Sequence, residues 1–181
     1  MPLLNDEASL LAGARELDSR ALAEIHDRYY PEIYRYALYR TDDPDAAADI
    51  AGDAFLRLLD ALHAGRAPRT TLRGWLFGVA SNLVADHFRR APRESAPLSE
   101  SLTANGSPAA EAEAHMRQTQ VRAALRRLTP DQQAVLALRF GDGFSVEQTA
   151  ETLDKSVTAV KSLQFRALDS LRRWLGEVAH D

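Results

Sequence analysis

Two helix-start signals and a tight turn fall in register between residues 129 and 156, and they constrain this chain more than any other feature. Thr129-Pro130-Asp131-Gln132 puts a hydroxyl acceptor, a proline and a Gln at the N-cap, N1 and N3 positions of a helix. That helix carries Val135, Leu136 and Leu138 and is expected to stop near Gly141-Asp142-Gly143. Ser145-Val146-Glu147-Gln148 repeats the capping pattern and opens a short helix through Ala150 to Leu153. Asp154-Lys155-Ser156 supplies the turn, and Ser156 is placed to cap a longer helix reaching about Leu175. A short helix, a tight turn and a longer helix make a helix-turn-helix, expected over residues 125–175.

On the longer helix Val160, Leu163, Ala167, Leu168, Leu171 and Leu175 recur at helical spacing and form the expected buried stripe. Thr158, Lys161, Ser162, Phe165, Arg166, Arg172 and Arg173 fall on the other side. That set mixes cations suited to phosphates with hydroxyl and apolar groups suited to base edges and thymine methyls. The alternative is a solvated basic face on a small helical bundle; the register of both capping boxes with the turn favours the DNA-reading helix.

The rest of the chain is also read as helical. Leu17, Leu22, Ile25, Tyr29, Ile33, Tyr36 and Ala37 recur at helical spacing, and no segment sustains a period of two. Asp43-Pro44 is an N-cap followed by an N1 proline, opening a helix to about His63 that buries Ile50, Phe55, Leu58, Leu59 and Leu62. Ala64 to Thr71 is a loop by its Gly and Pro, and basic by Arg66 and Arg69. A further helix from about Leu72 to Arg89 sets Leu72, Leu76, Val79, Leu83 and Val84 on one side.

Ala91 to about Ala114 is rich in Pro and Ser and has no basic residue after Arg93, a composition that cannot support a core. The expected fold is therefore all-α, with two small helical domains joined by a flexible linker. The expected boundaries are 1–91, 92–116 for the linker, and 117–176 for the helix-turn-helix domain.

Charge is segregated along this frame. The formal net charge is -4, yet residues 65–93 carry a net +5 and residues 117–175 a net +4, against -7 over residues 1–64. Two basic islands in an acidic chain suggest two anion-facing surfaces and one surface for a different partner. There is no cysteine, which excludes disulfides, thiolate metal sites and cysteine nucleophiles, and the five His are scattered without metal-ligand spacing. No metal or other cofactor, no small-molecule substrate and no catalytic residue is expected. No run approaches the roughly 20 apolar residues of a membrane span, so a cytoplasmic protein is expected.

Within Arg73 to Arg90, the polar residues Asn82, Asp86 and Arg89 lie at i, i+4 and i+7 and share one helix face. Amide and carboxylate groups beside Trp75, Phe77 and Phe88, with flanking Arg, suit unpaired bases better than an intact duplex. Trp75 itself is expected in the core.

At this point the chain resembles a known family. Trp75-Leu76, Ala80, Asn82, Asp86 and Arg89-Arg90 are similar to the promoter-melting helix of bacterial sigma-70 family factors of the extracytoplasmic-function (ECF) group. Leu128-Thr129-Pro130, Val160-Lys161-Ser162 and Arg166-Ala167-Leu168 resemble their C-terminal domain. The resemblance implies a transcription initiation factor, not an enzyme, that binds core RNA polymerase, directs it to promoter DNA and assists melting at the minus-ten element. Asn82 and Asp86, with the loop from His63 to Thr71, would hold flipped bases of the minus-ten strand; Arg89, Arg90 and Arg73 would complete that site. Thr158, Lys161, Ser162, Phe165 and Arg166 would read the minus-35 element in the major groove. Asp49 and Asp53 would contact the polymerase clamp, and an anti-sigma factor is the implied inhibitory partner.

The chain departs from the family pattern in places. Ala48 and Gly52 stand where Glu and Gln are common, and Phe165 where a polar ring is common. The basic loop lacks an aromatic at its expected start. Two readings of other classes are a stand-alone helix-turn-helix regulator and an adaptor with a degenerate clamp surface; neither should open DNA together with polymerase.

Overall fold

A computed structural model describes residues 3–66, 68, 71–90 and 107–178. These form eight α-helices in two bodies, with no strand among the described residues. The first body comprises α1 (Leu3–Arg15), α2 (Ser19–Thr41), α3 (Pro44–His63) and α4 (Leu72–Arg90). The second comprises α5 (Pro108–Arg126), α6 (Pro130–Leu136), α7 (Val146–Thr152) and α8 (Val157–Val178).

The helix starts follow from local chemistry. Asp43 Oδ1 accepts from the amides of Asp45 and Ala46 at 2.9 and 3.2 Å, with Pro44 behind it, so α3 begins where expected. Both capping boxes form: Thr129 with Gln132 at α6, and Ser145 with Gln148 at α7. Ser156 Oγ accepts from the Ala159 amide at 3.1 Å and caps α8. The turn before it is closed by Asp154 at φ 52°, a left-handed conformation that Asp tolerates better than most side chains. Thr71 Oγ1 accepts from Gly74 N at 3.0 Å, and the Glu7 carboxylate, brought from α1, accepts from Leu72 N, so α4 is capped from two sides.

Several expectations are corrected. α1 has no counterpart in the sequence reading, which began its helical period at Leu17; Leu17 instead lies in the turn after α1 at φ 55°, 41% exposed. The expected linker, 92–116, overlaps α5 from Pro108, because Ser107-Pro108 is itself an N-cap and N1 pair leading into Ala and Glu. Residues 91–106 lie outside the described residues. After α6 the chain does not simply stop but widens into a π turn, Ala137–Gly141, in which Asp142 N bonds Ala137 O. Leu168, assigned to the buried stripe of α8, is 40% exposed.

The main core runs through both bodies. Ile25, Ile33, Tyr36, Leu58, Leu72, Leu76 and Phe77 fill the first body, and Leu138 and Phe144 of the second insert into the same cluster. The second body keeps two small clusters of its own, one around Leu128, Leu136 and Ala167 and one around Val135, Ala150 and Val160. Gly143, at φ 72°, provides the left-handed step that turns Phe144 inward.

Candidate nucleic-acid interface

The α8 surface is built as the pattern required. Val160 and Ala167 are fully buried on one side, and Thr158, Lys161, Ser162, Phe165 and Arg166 are exposed on the other. Lys161, Ser162, Phe165 and Arg166 line one shallow depression. Phe165 is 72% exposed, an apolar ring held in water that folding alone does not explain. Its ring beside two cations and a hydroxyl can meet a thymine methyl while the cations meet phosphates.

On α4 the structure separates what the sequence grouped. Asn82 is exposed, Asp86 is half-buried and ion-paired with Arg89 one turn on, and Arg90 is exposed. These four keep one end of the helix polar. Arg73 does not join them. Its Nε donates to Glu32 Oε2 at 2.7 Å, an η nitrogen donates to the Asp142 carbonyl at 2.8 Å, and its guanidinium lies 4.4 Å from the Phe144 ring centre. The cation at the helix start is therefore engaged with the second body. Of the basic loop, Arg66 is exposed, whereas Arg69 lies outside the described residues.

α3 presents Asp49, Asp53 and Leu56 on its outer side, all exposed, with Leu56 at 59%. Leu56 was missed by the sequence reading; its place three residues after Asp53, out of phase with the core positions, is the signal that could have found it. Gly52 lies between the two carboxylates, and a Cβ added there would meet nothing within 4 Å. The smooth acidic stripe with an apolar end is suited to a complementary protein surface.

Between the bodies lies a crevice of about 270 Å³, lined by Gly74, Gly78 and Asn82 of α4 and by Gln148, Glu151 and Thr152 of α7, among others. A Cβ on Gly78 would come within 3.0 Å of the Thr152 carbonyl, so the glycine permits the close approach. Asp142 lies two residues before Phe144, which lines the crevice. Burial pushes its carboxyl up to about 6, against the pull of Arg35 at 3.8 Å and of Arg73. Arg40 adds a contact from α2, bonding Tyr36 at 2.8 Å and the Pro130 carbonyl at 3.3 Å, with its Nε buried and unpartnered.

Comparison with known proteins accounts for this pairing of surfaces. The model of sigma-70 region 2 matches residues 25–94, and that of sigma-70 region 4 matches residues 124–173. The ECF RNA polymerase sigma factor SigD of Mycobacterium tuberculosis is 30% identical over 175 residues, covering 91% of this chain and 81% of that protein. The chain belongs to the ECF sigma factors. The ECF factor BldN of Streptomyces coelicolor is 34% identical over 174 residues, 94% of this chain and 66% of that longer relative. CnrH, solved in complex with the cytosolic domain of CnrY, shares the fold at a TM-score of 0.74 and 22% identity, covering 95% of this chain and 98% of that one. In this sigma factor the first body is region 2 and the second region 4, and the function that accompanies them is that of a promoter-directing RNA polymerase subunit. No helix among the described residues is long and apolar enough to cross a membrane.

Proposed function

We propose that this ECF sigma factor grips a promoter at two points while docked on core RNA polymerase, with each point assigned to named side chains. Region 4 reads the minus-35 duplex with Thr158, Lys161, Ser162, Phe165 and Arg166. Region 2 holds the melted minus-ten strand with Asn82 and Asp86 and its backbone with Arg89 and Arg90. Asp49 and Asp53 of α3 meet the polymerase clamp, with Leu56 at the edge of that contact. Arg73 serves the minus-ten site only once its bonds to Asp142 and Phe144 are released. The corresponding domains are 1–91 and 117–176, with 92–116 between them, the last residues of that stretch forming the start of α5.

The single observation that supports this reading best is the exposed Lys161, Ser162, Phe165 and Arg166 set on a capped α8, in a chain whose other body carries Asn82 exposed on α4. The factor works in the cytoplasm and performs no chemistry itself. Because solved relatives by fold are complexes of CnrH with CnrY and of RpoE with the anti-sigma factor NepR, an anti-sigma protein is the expected inhibitor here too.

Run-off transcription of fragmented genomic DNA with core polymerase, followed by sequencing of transcript starts, tests the proposal. Starts sharing an upstream and a minus-ten element, and absent without this chain, are expected. Tight DNA binding with no new starts would instead indicate a stand-alone regulator.

A further inference from the structure

We propose that Gln164 is a further DNA contact of this factor: with Arg139 holding its carbonyl end, its amide nitrogen binds a backbone phosphate at the wall of the upstream groove. The inference rests on the reading of α8 as the minus-35 helix. Arg139, in the π turn after α6, donates from Nε to Gln164 Oε1 at 3.0 Å and from Nη1 to the Phe144 carbonyl at 2.5 Å. Its guanidinium carbon also lies 5.9 Å from the Phe140 ring centre. A guanidinium only donates, so the oxygen of the Gln164 amide has to be the end that faces it. The amide nitrogen, with its two N–H donors, is thereby turned the other way and bonds no acceptor among the described residues. It is not among the buried unpartnered polar atoms either, so it is open to solvent or to a ligand.

The place of Gln164 on α8 selects a phosphate over a base. With about 100° between successive helical residues, Phe165 lies about 40° from Lys161, Ser162 about 100° and Arg166 about 140°, all in one direction. Gln164 lies about 60° from Lys161 in the other direction, on the way to the buried Val160. It therefore flanks the reading set. A helix with its side chains is about 10–12 Å across and the major groove about 12 Å wide, so the flank of an inserted helix meets the sugar-phosphate wall. Phosphate oxygens accept from neutral Gln side chains as well as from cations, and such contacts fix register without reading sequence. Arg139 is the positioning residue for this contact. It holds a half-buried side chain in one orientation before DNA arrives, and its charge at the carbonyl end polarises the amide and strengthens the N–H groups as donors. The competing role for the pair is a structural clip between the π turn and α8. A glutamate at this position separates the two, because a carboxylate keeps and strengthens the bond to Arg139 but offers a phosphate no donor.

The test uses holoenzyme made with the full chain and a duplex carrying the upstream element recovered by start-site sequencing, with single phosphates replaced in turn by neutral methylphosphonate. Gln164→Met, which keeps the length of the side chain, should weaken duplex binding about tenfold, the scale of one hydrogen bond to a charged acceptor. One phosphate should then be found whose neutralisation weakens binding by the parent but not by Gln164→Met. Gln164→Glu should bind at least as weakly as Gln164→Met while melting no lower than the parent, so it decides the matter even where the Met variant folds poorly. Parent-like binding by Gln164→Glu, or identical phosphate profiles for the parent and Gln164→Met, overturns the inference and leaves the pair a clip. Lys161→Ala is measured alongside. Weakening by Lys161→Ala alone removes only the Gln164 contact, whereas full binding by all three variants contradicts the reading of α8 on which the inference rests.

Discussion

The guanidinium of Arg73 lies 4.4 Å from the centre of the Phe144 ring while donating to the carbonyl of Asp142, 69 residues further along the chain. One side chain thus joins the start of α4 in region 2 to the turn that precedes α7 in region 4. Replacing it should loosen the bodies without unfolding either. Arg73→Ala is expected to cost about 2 kcal/mol, from a partly desolvated cation–π contact and a charge-assisted hydrogen bond. Urea unfolding measures this; a cost below about 0.5 kcal/mol would mean that the Arg73 contacts add little to stability.

Asp142 makes the same junction pH-sensitive. Its carboxyl is pushed from 3.8 to about 6, first by burial and further by Glu32, against Arg35 and Arg73. Because the value is raised where the bodies pack together, the contribution to that packing is complete below 3.8 and is lost as pH rises through about 6. Small-angle scattering between pH 5 and 8 should show the chain expanding as pH increases, and Asp142→Asn should flatten that dependence. Expansion on acidification would reverse the assigned sign.

Gly52 offers a test of α3. It sits inside α3 with open space where a Cβ would go, so its cost is conformational entropy alone. Gly52→Ala should raise stability by about 0.5 to 1 kcal/mol, seen as a higher melting temperature. A lower melting temperature would mean that the position is constrained by something other than helix propensity.

The Ser145 cap carries much of a short helix. α7 has seven residues, and Ser145 and Gln148 satisfy each other's amides at 3.0 and 2.9 Å. Ser145→Ala should cost about 1 kcal/mol and lower the melting temperature by about 3 °C. Amide hydrogen exchange should place the loss first in α7 and the adjoining turn. Uniform loss of protection across region 2 would contradict a local cap.

The capping residues show how far local sequence carries. Asp43, Thr129, Ser145 and Ser156 each bond amides within a few residues, so their helices could be read directly. Ser107 carries the same signal, but the Pro and Ser around it dominate the composition, so the expected linker takes in the first residues of α5, 108–116. Leu168 differs for another reason: its spacing is apolar-periodic, yet the helix leaves it 40% exposed. The Asn82 and Lys161 surfaces were legible because each is a set of residues on one helix. The Arg73 junction was not, since its partners Glu32, Asp142 and Phe144 lie 41, 69 and 71 positions away and no local period links them. Nothing in the residue order marks Phe144 as part of a core that belongs chiefly to another domain.

The two-point grip is tested most directly by open-complex footprinting with core polymerase on a promoter recovered by start-site sequencing. Asn82→Ala should reduce permanganate reactivity at the minus-ten strand about tenfold, the scale of one lost base contact, while upstream duplex binding changes little. Lys161→Ala should weaken upstream binding and lower its salt dependence, leaving melting normal once the complex is saturated. Equal effects of both substitutions on both steps would contradict the division of labour between Asn82 and Lys161.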